Sequence, residues 1–183
     1  LENVIRMLDE EQAQALRNEI IEKGVMPYIK AVFERFPKFN SATLLVAQYW
    51  DDEADDAVHQ EVIFSALNTP NLKSAFETYT DENMEAKDSI NSPEDLPSTV
   101  VDWGFDDGLE RSLWDNWCDN GDAITAFAAF CKEGANQWQD IGEAYSPYAV
   151  FRRQGKDVEM VVIGEMIRPW LDGVQPSWQS RYG

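Results

Sequence analysis

The chain has 183 residues, 44% hydrophobic and 12% aromatic, with a formal charge of -19. That size and composition exclude an intrinsically disordered chain and suffice for one domain with a real core. No run approaches the roughly 18 consecutive apolar residues that span a membrane.

In chain order, Asp9 and Gln12 form a capping box that opens a first helix. Ala13, Leu16 and Ile20 recur at helical spacing along it, and Lys23-Gly24 supplies an ending. Pro27 suits the first turn of a second helix, whose apolar stripe is Ile29, Val32, Phe33 and Phe36 until Pro37 stops it. Thr43 to Trp50 and Val58 to Leu67 read as strands of a β-hairpin joined by a charged loop, with a short helix over 53–60 as the rival for that loop. Asn68-Thr69-Pro70 ends the segment, and 71–86 reads as a helix packing on Leu72, Ala75, Phe76 and Tyr79. Residues 88–108, with Pro93, Pro97 and Gly104, read as a long surface loop.

A helix is expected over 109–117, then a turn at Asn120-Gly121. Asp122 opens another helix, with Ile124, Phe127, Phe130 and Cys131 on one face and Gly134 closing it. Tyr148–Arg153 and Val158–Ile167 form a second hairpin around the turn Gln154-Gly155-Lys156-Asp157, and 168–183 reads as an irregular C-terminal tail. The order of elements predicts one globular α+β domain over 1–183. Its two hairpins form a single antiparallel sheet of about four strands, with helices packed mainly on one face.

The charge is unevenly spread. Residues 1–40 carry seven acids against six bases, and 150–183 carry four against five. Residues 51–122 carry twenty acids and three bases, Lys73, Lys87 and Arg111. A field of that sign repels phosphate backbones and anionic lipid, so neither nucleic acid nor membrane is expected as a partner. It attracts cations or a basic protein. Glu2, Arg6 and Asp9 interrupt the apolar N-terminal residues, so no signal-peptide pattern is seen and a cytoplasmic location is expected.

The densest set of oxygen ligands is Asp51-Asp52-Glu53-Ala54-Asp55-Asp56. Asp51, Glu53 and Asp55 match the first ligands of an EF-hand loop for calcium, or could take magnesium. Asp56 and Val62 stand where that loop needs Gly and Glu, so a solvated, self-repelling loop is the default and no cofactor is otherwise expected. Asp102, Asp106, Asp107 and Glu110 interleave with Trp103 and Phe105, and Asp115, Asp119 and Asp122 with Trp114 and Trp117. Tryptophans beside acids can build a binding face or a carbohydrate cleft, or simply anchor helices to the core. Trp170 and Trp178 either pin the tail or contribute to a homodimer contact.

His59 is the only histidine, and the acids before it favour its charged form. That is a poor setting for a neutral catalytic base. Two cysteines, Cys118 and Cys131, make neither a disulfide framework nor a zinc pair and read as small buried hydrophobes, with a strained regulatory disulfide as the alternative. There is no GxGxxG, phosphate-binding loop, HExxH or GxSxG. The expected function is therefore a non-enzymatic interaction protein, immunity- or adaptor-like. It would present Asp102, Trp103, Asp106, Asp107, Trp114 and Asp115 to a basic protein partner. The alternative is a carboxylate-based enzyme, with magnesium or calcium, acting on a sugar-like or cationic small molecule.

Overall fold

A computed structural model of the chain describes residues 6–50, 56–68, 99–101 and 121–175. After a two-residue strand β1 (Arg6–Met7), α1 (Glu10–Ile20) starts at the expected capping box. Gln12 N donates to the Asp9 carboxylate at 2.8 Å, and Asp9 N donates to the Gln12 side-chain oxygen at 3.1 Å. The helix does not end at Lys23-Gly24. It widens into a π turn over Ile21–Val25 and continues as α2 (Met26–Arg35). Pro27 has no N–H to return to the preceding turn, and the wider turn absorbs that loss, with Met26 N donating to Ile21 O.

The sheet is antiparallel, with helices packed against it. Strands β2 (Ser41–Trp50) and β3 (Asp56–Ser65) pair along their whole length, from Ser41 opposite Ser65 to Trp50 opposite Asp56. The rival helix over 53–60 is thereby overturned at 56–60, where continuous pairing with β2 holds the backbone extended. β5 (Ser146–Gln154) lies on the other side of β2, and β6 (Asp157–Val162) beyond it. A tight turn joins these two, with Gly155 at φ 60°, where only glycine is unstrained. The three residues Thr99–Val101, inside the segment read as a loop, form β4 and pair with Ile63–Ser65. The spatial order is β4-β3-β2-β5-β6.

β6 stops at Val162, five residues before the expected end, because a bulge redirects the chain. Leu44 pairs with Ala149 and Leu45 with Pro147, leaving Tyr148 as the extra residue, at a point where proline has no N–H to give a ladder. The Tyr148 carbonyl accepts from both Ile163 N and Gly164 N. A Cβ on Gly164 would stand 3.0 Å from Pro147 O, so this close approach excludes larger residues.

The helix expected over 122–134 is shorter. α3 (Asp122–Phe127) tightens into a 3-10 turn at Ala128–Phe130, and Cys131 is extended. The cause is tertiary. Ala129 O accepts from Ile167 N and Arg168 N, and the Arg168 guanidinium takes Ala128 O and Cys131 O, so the last carbonyls bond to another segment. Gly134, with φ 80°, lies in the turn beyond. A short helix α4 (Ile141–Ala144) precedes β5. The tail is only partly irregular: Pro169–Leu171 form a 3-10 turn, and β7 (Val174–Gln175) pairs with β1. The expected helices over 71–86 and 109–117 lie outside the described residues.

Residue alternation along the strands separates two apolar clusters. Ala42, Leu44, Val46, Val58, Val62, Phe64 and Phe151 face α1, α2 and α3. Leu45, Ala47 and Ile63 point the other way, toward Ile141, Ala144 and Tyr145 in and beside α4. The first cluster is the larger and is locked by aromatic edges, with Phe64 surrounded by Tyr28, Phe33 and Phe39 at 5.5–6.2 Å between ring centroids. Two arginines seal it. Arg153 donates to the carbonyls of Phe33 and Phe39 at 2.7 Å, satisfying the end of α2. Arg17, only 5% exposed, pairs with Asp172, donates to Ala126 O and lies over the Phe130 ring.

Candidate functional site

Asp51, Glu53 and Asp55, expected to offer oxygens to a cation, lie outside the described residues. So do Asp102, Trp103, Asp106, Asp107, Trp114 and Asp115, the expected partner-binding set. The chain fixes where these segments attach. Residues 51–55 join β2 to β3, 69–98 join β3 to β4, and 102–120 join β4 to α3. Each acid-rich segment therefore begins or ends at β3 or β4, the first two strands from one edge of the sheet, with 51–55 entering β3 at one end and 69–98 leaving it at the other. Among the described residues no group of three or more His, Cys, Asp or Glu is placed to hold a metal ion.

The described part of this edge ends in an aromatic group on the sheet face away from α1–α3. Ala47 pairs with His59 and Tyr49 with Ala57, so Tyr49 and His59 are diagonal neighbours on that face. Their rings stack at 3.9 Å, 14° from parallel. His59 Nε2 lies 3.3 Å from the Tyr49 carbonyl, and the Tyr49 and Tyr145 hydroxyls share a hydrogen bond of 2.8 Å. Glu61, opposite Leu45, points to the same face. Trp50, next in the chain and 54% exposed, stands beside the first acid of the 51–55 segment.

Further along the face, Thr43 is fully buried between Ile63 and Val150, and its hydroxyl has no hydrogen-bond partner. Cys131 is buried, as expected of a small hydrophobe, with its thiol donating to Phe127 O; Cys118 lies outside the described residues. Sequence reasoning had singled out His59 but not Tyr49 or Tyr145. The hairpin register, counted back from a tight connection at 51–55, would have paired Tyr49 diagonally with His59. No local signal places Tyr145, which reaches Tyr49 only through the sheet.

No known protein family, curated protein or solved structure matches this chain.

The stacked imidazole is turned edge-on to a backbone carbonyl, and the two phenols bond to each other.

Proposed function

We propose that the chain is an interaction protein that uses its acid-rich segments to bind a basic protein partner. The observation that carries this reading is the position of the charge. Residues 51–122 hold twenty acids against three bases, and the segments richest in them all adjoin β3 or β4. An acidic field accelerates encounter with a cationic surface, and exposed aromatic area beside it supplies contact energy. Trp50 provides such area within the described residues. Asp102, Trp103, Asp106, Asp107, Trp114 and Asp115 remain the residues assigned to the contact.

The test is a pull-down at low salt using the unaltered chain and a variant carrying Asp102→Asn, Asp106→Asn, Asp107→Asn and Asp115→Asn. The expected result is a basic protein whose recovery drops about tenfold or more in the variant and falls with added NaCl. Recovery of no partner, or only of partners indifferent to both changes, would overturn the reading.

A further inference from the structure

The loop between α3 and α4 is fastened at both ends. The Lys132 ammonium donates to Gly142 O at 3.0 Å and to Glu143 O at 3.2 Å, which ties the start of the loop to its far side. Ala135 and Ile141 anchor it from beneath, against the apolar cluster of Leu45, Ala47, Ile63 and Tyr145. Inside the loop, Trp138 N donates to the Asn136 side-chain oxygen at 3.0 Å, and Asn136 N donates to that of Gln139 at 2.9 Å. This frame holds Trp138 outward. At 83% it is the most exposed large apolar side chain among the described residues. An indole turned to water from a fixed backbone forgoes apolar burial that a contact would recover.

The charges around it select the partner. Glu133, Asp140 and Glu143 are exposed on the same loop and the start of α4, and among the described residues none of the three is in an ion pair. Two bases lie close, Lys132 and Arg168. Both aim their cationic ends at carbonyls, Lys132 at Gly142 and Glu143, Arg168 at Ala128 and Cys131. We infer that Trp138 is a docking point for an arginine side chain of a basic protein partner, with Asp140 and Glu143 as the flanking carboxylates. A guanidinium is planar and weakly hydrated, so it stacks on an indole face while its N–H groups stay free to reach carboxylates. An acidic or apolar partner would instead meet three unpaired carboxylates on a chain of charge -19. The inference rests on the proposed function, to which it adds a second contact.

The probe is a peptide of alternating arginine and glycine, titrated into the full chain while the indole N–H signals are followed by NMR. Trp138→Phe identifies the Trp138 signal. The expected result is a saturable shift of that signal, with an apparent Kd raised about threefold or more by Asp140→Asn together with Glu143→Gln. A matched peptide of glutamate and glycine should leave the signal in place. No shift at Trp138, an equal shift with the glutamate peptide, or a Kd indifferent to both carboxylates would overturn the inference. Repeating the low-salt pull-down with Trp138→Ala separates it from the reading it rests on, and this variant should keep the parent's thermal midpoint because the side chain is exposed. Capture lost with the Asp102, Asp106, Asp107 and Asp115 changes but kept in Trp138→Ala overturns the inference and leaves the proposed function standing. Binding of the arginine peptide at Trp138 while no basic protein is captured does the reverse.

Discussion

The two faces of the central sheet are finished differently. Toward α1–α3, Phe64, Phe39, Phe33 and Tyr28 meet edge to face or tilted, and Arg17 and Arg153 are engaged by backbone carbonyls or a half-buried carboxylate. On the other face the cover among the described residues is thinner. α4 shields Leu45, Ala47 and Ile63, and the row then runs out to half-buried Tyr49 and His59 at the hairpin end. One face is specified for stability, while the other carries polar groups, among them a buried hydroxyl without a partner. A rigid side of this kind can support an edge that is not itself optimised for packing.

Five substitutions would break or sharpen that contrast. The largest effect is expected from Phe64→Ala, which empties the middle of the aromatic group and should lower stability by about 3–5 kcal/mol in urea unfolding. A loss under about 1 kcal/mol would mean that the helical face is not the tighter one. Next, Arg17→Met leaves half-buried Asp172 without its partner and should cost about 2 kcal/mol. Adding Asp172→Leu should recover much of that loss, since a pair replaced by apolar groups leaves no orphaned charge; no recovery would show that Arg17 acts through Ala126 O and Phe130 instead.

On the opposite face the sign should reverse. Thr43→Val removes an unsatisfied buried hydroxyl with almost no change of shape and should raise stability by about 1 kcal/mol. A loss instead would mean the hydroxyl is satisfied.

The smallest effect concerns pH. Burial, and secondarily Glu19, hold the Asp122 carboxyl above its ordinary value. The folded chain then keeps this proton to higher pH than the unfolded chain, so Asp122 contributes stability as pH falls through its folded value and none of it above. Asp122→Asn should flatten the rise in stability between neutral pH and about pH 4. Equal slopes in parent and variant would assign the rise to relief of general self-repulsion.

Much of the fold could be read directly. The Asp9 capping box, the stripe of Ile29, Val32 and Phe33, and both hairpins depend on interactions within a few residues or on a strict period, so local chemistry suffices to place them. The errors fall where distant segments intervene. Gly24 looked like a helix end because glycine usually supplies the left-handed cap, yet here it sits buried inside a continuous helical run. The last helix was drawn too long because nothing near Ala128 announces that Ile167 and Arg168 will take its carbonyls. Of the site, His59 was visible as the only histidine, but its ring partner depends on strand register.

Charge, absence of the common catalytic motifs and the α+β pattern are properties of the chain itself, fixed by composition and by periods of two and 3.6 residues. Tertiary structure alone decided which residues turned outward. Val162 to Trp170 read as a strand running into a tail, with apolar side chains fit for a core. They lie exposed because the bulge at Tyr148 ends β6, and because Arg168 and Asp172, drawn inward by carbonyls and a buried guanidinium, turn the other side of the segment to solvent.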